Sequence, residues 1–362
     1  MAVIRPFSGL RPPTDKAAQV ASPPYDVVNT QEARALAAGN PLSFLHVSRP
    51  EIDLPEGTDI YSDAVYERGA ENFQRLIKEC PLETDEAPSI YLYRLIMGEH
   101  EQIGLVACCS VDEYDNDLIR KHERTRPDKE DDRTRHMLTL RAQTGPVFLT
   151  YRPSRDVDTM VMDTTMSDAI LDFTAADGIK HTVWRVPDAL RFTYAFRDVP
   201  FLYIADGHHR AASASRARAA LRDKSEAHTG EEEYNYFLAV LFPSDQLQIL
   251  PYNRIVRDLN NRSPQEFLAE VGEMFRITEG AQPTPSARGQ WSMYLDGRWY
   301  ALTLGERVPL TSDPVASLDV SLLQDHLLDP VLGIKDVRTD KRIDFVGGAR
   351  GTEELERLVN DR

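Results

Sequence analysis

The residues with the greatest capacity for chemistry stand together in Ile204-Ala205-Asp206-Gly207-His208-His209-Arg210. An apolar run of strand length, Pro200-Phe201-Leu202-Tyr203-Ile204-Ala205, breaks at Asp206-Gly207 into an alanine-rich segment, residues 208–222, of high helix propensity. Glycine at such a junction lets the backbone turn sharply, and the first amides of the following helix have no partner of their own. That end attracts anions. With His208, His209 and Arg210 beside those amides, a phosphate meets oriented donors and a planar guanidinium together. Asp206 is of the type that holds a magnesium ion or orients a hydroxyl nucleophile. The plainer reading is structural: Asp206 caps the helix, the histidines bond locally, and Arg210 is a surface residue paired with an acidic side chain.

A second constellation, His122-Glu123-Arg124-Thr125 with Asp131-Asp132-Arg133, sets a general-base candidate, Glu123, among cations that lower a carboxylate pKa or contact phosphate. Taken alone, such a run is a solvated charged loop, although solubility does not require histidine and threonine mixed with both signs of charge. Pro23-Pro24-Tyr25-Asp26-Val27 presents Tyr25 and Asp26 in a fixed direction, as substrate contacts or as a packing corner. Pro251-Tyr252-Asn253-Arg254 is a weaker case of the same kind. A zinc site built from His122, Glu123, His208 and His209 is disfavoured, because neither pair has the i, i+4 spacing of the helical zinc motif. Cys80, Cys108 and Cys109 offer neither metal-ligand spacing nor a disulfide framework and read as buried reduced thiols.

The elements that must position these residues follow from periodicity and punctuation. The proline-rich first fifty residues read as extended and wrapped across the body. A helix is predicted over residues 61–80, stopped by Pro81, and strands over 89–97 and 103–111 form a hairpin. The charged stretch leads into a helix near residues 136–143. A strand at 147–151, helical spacing over 154–180 and a strand at 183–186 precede the strand-turn-helix junction. Strands at 234–241 and 247–257 read as a second hairpin. Ser263-Pro264 opens a helix to about residue 275. Strands at 291–295 and 298–304 bracket the turn Asp296-Gly297, and helices at 319–328 and 353–360 complete the chain. The fold class is mixed α/β, with a largely antiparallel sheet and packed helices in residues 1–262 and a smaller α/β part in 263–362.

Composition narrows the function classes. The 362 residues are 41% hydrophobic, as expected of a globular core, and 58 acidic against 42 basic residues give a net charge of -16. That charge argues against nucleic acid as a partner. No run has the length of a secretory h-region or a membrane span, so a soluble cytoplasmic protein with no membrane partner is expected. Oligomeric state has no signal here.

Nearly the whole chain resembles the family catalogued as domain of unknown function 1015. The resemblance is carried by Arg5-Pro6-Phe7, Pro23-Pro24-Tyr25-Asp26-Val27, His122-Glu123-Arg124-Thr125 with Asp132-Arg133, residues 204–210, Ile249-Leu250-Pro251-Tyr252-Asn253-Arg254 and Asp344-Phe345-Val346-Gly347-Gly348. The Asp-Gly-His-His-Arg stretch alone is similar to the phosphate-contacting signature of the ParB and sulfiredoxin-like superfamily, which includes free-serine kinases. That resemblance implies Gly207, His208, His209 and Arg210 as the grip on nucleotide phosphates; Arg124 and Arg133, from the charged motif, are further candidates for phosphate contact. The expected function is phosphoryl transfer from ATP or ADP, with Mg2+ at Asp206, to a small hydroxyl compound such as free serine. Glu123 is the expected base, by its place in the charged motif, and His122 or Arg124 offsets developing charge. The competing readings are a nucleotide-binding regulator without turnover, a phosphomonoester hydrolase, and a DNA-partitioning factor, for which no helix-turn-helix is visible.

Overall fold

The computed structural model describes residues 2–308 and 311–361. Two compact units divide the chain, Met1–Gln248 and Ile249–Arg362. The first is built on a nine-stranded mixed sheet: β1 (Ile4–Arg5), β2 (Tyr91–Met97), β3 (His100–Ser110), β4 (Ile119–Arg120), β5 (Val147–Tyr151), β6 (Leu171–Thr174), β7 (Lys180–Arg185), β8 (Leu202–Asp206) and β9 (Tyr236–Pro243). Their spatial order is β4-β8-β5-β9-β3-β2-β7-β6, with β1 added to β3. Only β4–β8 and β5–β9 are parallel. The predicted mixed, largely antiparallel sheet is therefore present.

Alternation fills the core. Leu105, Ala107 and Cys109 of β3, Val147, Leu149 and Tyr151 of β5, and Leu202 and Ile204 of β8 are all buried, every second residue along each strand. The hairpin β2–β3 turns through Gly98-Glu99, with Met97 opposite His100 and a positive φ at Gly98. The alanine-rich helix His208–Arg222 forms as predicted. Its Ala211, Ser213, Ala214 and Ala217 are buried, and the helix lies against the helix Pro127–Leu140, where Ser213 Oγ donates to the Glu130 carbonyl at 3.1 Å.

Several elements differ from the sequence expectation. The helix expected near 136–143 begins at Pro127, because proline at its first turn and Asp128 and Glu130 beside the amide end favour a start inside the charged run. Residues 154–180 are not one helix: Arg155–Thr165 is followed by β6, which pairs with β7. The first fifty residues hold short helices, among them Thr30–Ala37 with a capping box from Asn29 and Glu32. Cys108 is half-buried rather than buried, while Cys80 and Cys109 are buried, and all three thiols are free.

The second predicted hairpin does not form. Tyr252–Val256 pairs antiparallel with Ile343–Gly347, nearly a hundred residues away, so this strand goes with the C-terminal unit, which starts at Ile249 rather than after residue 262. In that unit Pro264–Met274 carries the expected capping box from Ser263 and Glu266. Gln290–Leu295 and Arg298–Leu304 turn through Asp296 and Gly297, both at positive φ, and pair with each other, while Arg298–Leu304 pairs on its other edge with Phe275–Glu279. Asp319–Leu323 continues into a wider helical turn at Gln324–Leu328. Among the described residues no helix is long and apolar enough to cross a membrane.

A close strand contact lies at Gly104 of β3. A β-carbon there would stand 2.8 Å from Phe242 and 3.0 Å from the Leu241 carbonyl. Gly104→Ala is expected to lower unfolding free energy by about 1–3 kcal/mol through overpacking, read as a lower urea midpoint; an unchanged midpoint would show that β9 gives way freely.

Candidate active site

The corner at residue 207 owes its neighbours to strand direction. β8 pairs parallel with β4, Leu202 opposite Ile119 and Tyr203 opposite Arg120, so both strands leave the sheet at the same end. From β4 the chain enters residues 121–126; from β8 it turns through Gly207 into the helix. One residue of bulge precedes the turn, since Ile204 and Asp206 face consecutive partners Leu149 and Phe148 of β5 and Ala205 is left over. Gly207 then takes φ +95°, and a β-carbon on it would stand 3.1 Å from the Arg210 guanidinium. Both conditions call for glycine.

The two histidines hold the neighbouring segment. His208, 4% exposed, accepts the His122 N–H at Nε2 (3.4 Å). Its Nδ1 faces Glu123 Oε2 at 3.5 Å. The His122 ring meets the His208 ring edge-on, with centroids 4.4 Å apart. His209 Nε2 accepts the Arg126 N–H at 3.1 Å. An imidazole that accepts at Nε2 is neutral with its proton on Nδ1, so each ring ties down one backbone amide of residues 122–126; the Nδ1 side of His208 is turned to Glu123, and what remains for an anion is the Nδ1 side of His209. His208 cannot easily be otherwise: burial, then the neighbouring His122, push its pKa down to about 4.

Arg210 is not the surface residue expected. It is 8% exposed. Nη1 donates to the Pro146 carbonyl and Nη2 to Asp206 Oδ2, while Asp26 Oδ2 stands 3.7 Å from Nη2. Its buried Nε has no partner among the described residues. Asp206 caps nothing; its side chain stays 65% exposed. No acceptor among the described residues takes the amides of His208, His209 and Arg210. Glu123, with 56% of its side chain exposed, is open to solvent beside that amide end.

The remaining predicted residues fall on two sides. Tyr25 and Asp26 reach the corner, Asp26 through Arg210, and burial raises the Tyr25 hydroxyl to about 12. Arg133 stacks on the Tyr25 ring at 4.1 Å and pairs with Asp132 at 2.8 Å, so its guanidinium holds the protein together beside the corner. Asp132 also accepts from Tyr66 Oη at 2.9 Å. Arg124 is exposed on the segment that carries Glu123. Three motifs far apart in the chain, residues 25–26, 122–133 and 206–210, thus meet at one place. Tyr252 and Arg254 lie in the other unit, on the strand Tyr252–Val256, and their role there is strand pairing.

Sequence reasoning missed Pro146 and Arg126, whose backbone groups bind Arg210 and His209; the Gly145-Pro146 pair was visible as a turn signal but carried no hint of a guanidinium. For Mg2+, no group of three or more His, Cys, Asp or Glu among the described residues is arranged to hold a metal. The exposed Asp206 carboxylate fits an ion held mainly by phosphate oxygens and water, the usual manner of magnesium. The family described as Protein of unknown function (DUF1015) matches the chain over residues 4–321. No curated protein and no solved structure matches it.

Two measurements follow from this geometry. Arg210→Ala removes two half-buried bonds, to the Pro146 carbonyl and to Asp206, so a loss of about 1–2 kcal/mol in unfolding free energy is expected from denaturant titration; a loss under about 0.5 kcal/mol would mean the guanidinium is dispensable to the fold. His208 and the buried His136 both have pKa values lowered from 6.5 to about 4. The unfolded chain therefore binds protons that the folded protein refuses, and stability is full above about pH 6.5 and lost as pH falls toward 4. His208→Gln should flatten part of that decline; a wild-type stability that is level from pH 7 to 4.5 contradicts it.

Proposed function

The chain belongs to the DUF1015 family, and on the chemistry of its own residues we propose that it is a nucleotide-dependent phosphotransferase acting on a small hydroxyl compound, with free serine as the first acceptor to try. The observation that carries this reading is the meeting of unfilled helix amides at residues 208–210 with a solvent-open carboxylate, Glu123, held 3.5 Å from His208. Oriented amides with a buried guanidinium behind them suit the phosphates of ATP or ADP. The likeness of residues 206–210 to the ParB and sulfiredoxin-like signature points the same way. Magnesium, held at Asp206 and by the phosphates, would supply charge neutralisation.

In the proposed step Glu123 takes the proton of the acceptor hydroxyl as its oxygen forms the bond to the terminal phosphorus. The bond from that phosphorus to the rest of the nucleotide breaks, and the nucleotide leaves one phosphate shorter. Glu123 then returns its proton to solvent. His209 Nδ1, His122 and Arg124 offset charge on the transferring group. His208 serves as a positioning residue, since its neutral ring fixes the segment that carries the base.

Incubation with ATP or ADP and serine is expected to yield phosphoserine. Glu123→Gln is expected to lower turnover by about 10²–10⁴-fold with nucleotide affinity preserved, measured by product formation and calorimetry. Nucleotide binding without any phosphorylated product would replace this reading with that of a regulator, and turnover that survives Glu123→Gln would remove Glu123 as base.

A further inference from the structure

A cleft opens next to this corner within the same unit. One wall is a single face of the helix Pro127–Leu140, bearing Lys129, Asp132, Arg133 and His136; the other is the turn Pro50–Asp53 with Arg49 before it, together with Tyr61 and Tyr66. Tyr25 closes it on a third side. The next residue, Asp26, is the one that stands 3.7 Å from Arg210 Nη2, so cleft and corner share the Tyr25-Asp26 step.

The charges in the cleft are unevenly matched. Arg49 Nε lies 2.9 Å from Glu51, and Arg133 pairs with Asp132, which also accepts from Tyr66. His136 is buried with Nε2 2.9 Å from the Val47 carbonyl, and burial holds it neutral. Lys129 is different. Its ammonium donates to Tyr61 Oη at 3.1 Å, and no carboxylate lies within ion-pair distance among the described residues. The carboxylate of the adjacent Asp128 is engaged by Arg126. A half-buried ammonium facing a cleft, with only the neutral Tyr61 side chain as partner among the described residues, leaves hydrogen-bonding capacity and one net positive charge for an incoming anion. The cleft carboxylates, by contrast, are already neutralised by arginine, and nothing there awaits an ammonium.

We propose that this cleft receives the acceptor, and that the acceptor is a small hydroxy acid recognised by its carboxylate at Lys129 Nζ and Tyr61 Oη, with its amino group, where it has one, unrecognised. The assignment deepens the phosphotransfer reading and rests on it for the acceptor's role. A carboxylate suits the site better than a second phosphate, since the recognising cation is a single point charge and the charges of Arg49 and Arg133 are already paired with Glu51 and Asp132. Amino acids and hydroxy acids of similar size are therefore equivalent ligands, and neutral or cationic alcohols are poor ones.

The test is calorimetric titration of the full chain, without nucleotide, with D-glycerate, L-serine, L-serinamide and ethanolamine, repeated on Lys129→Gln and Lys129→Arg. Glycerate and serine are expected to bind within about threefold of each other, and serinamide and ethanolamine about tenfold or more weakly, the worth of one charge-assisted hydrogen bond. Lys129→Gln should weaken both acids about tenfold and leave ADP affinity unchanged; Lys129→Arg, which keeps the charge, should restore most of it. Acid binding that is absent in the wild type, that ignores Lys129→Gln, or that is matched by serinamide overturns the assignment. If the acids bind through Lys129 while ATP phosphorylates none of them, the anion cleft stands and the phosphotransfer reading falls.

Discussion

The parallel pairing of Ile119–Arg120 with Leu202–Tyr203 sends two segments out of the sheet side by side, and the contacts of His208 and His209 with residues 122–126 depend on that direction. Had β4 run antiparallel to β8, Glu123 and His208 would leave from opposite ends of the strands, and no side chain could bridge them. Parallel neighbours need a long connection; here it spans residues 121–201 and contributes the helix Pro127–Leu140, β5 and two further sheet strands, and the helices Arg155–Thr165 and Ala189–Phe196 before returning. Long connection and close exit are two consequences of one register.

The histidine pair converts that proximity into a fixed geometry. Adjacent residues at the first turn of a helix project in different directions. The structure uses the divergence: one ring takes the amide of His122 and the other that of Arg126, holding residues 122–126 at both ends. Arg210 anchors the third side, from the Pro146 carbonyl on β5's approach to Asp206 at the tip of β8. Gly207 permits the arrangement by omitting a β-carbon where the guanidinium passes.

How much of this was legible depended on whether the interaction was local. The junction at 206–208, the helix that follows, the 97–100 turn and the capping box at Ser263 are set by neighbours in sequence, and their residue types declare them. The partner of Tyr252–Val256 is not local; strand propensity alone leaves pairing open, and the nearest strand in sequence was the wrong choice. The same limit applies at the site. Motif composition singled out Tyr25, Asp26, Glu123, Arg133 and residues 206–210, and these do converge, yet nothing in their types distinguishes a histidine that accepts from a loop amide from one that donates to phosphate. Arg210 illustrates the point: its pairing with an acidic side chain is met by Asp206, four residues back on the strand side of Gly207, but it read as a surface residue and is buried, with a backbone carbonyl as its second acceptor.

The account stands on an anion settling at the amides of residues 208–210. The most direct measurement is the backbone amide spectrum of isotopically labelled protein during titration with ADP. Large, saturable shifts at His208, His209 and Arg210, exceeding those elsewhere on the helix His208–Arg222, are predicted. Amides at these three positions that stay fixed while ADP saturates another surface, or while no binding occurs, would contradict the account.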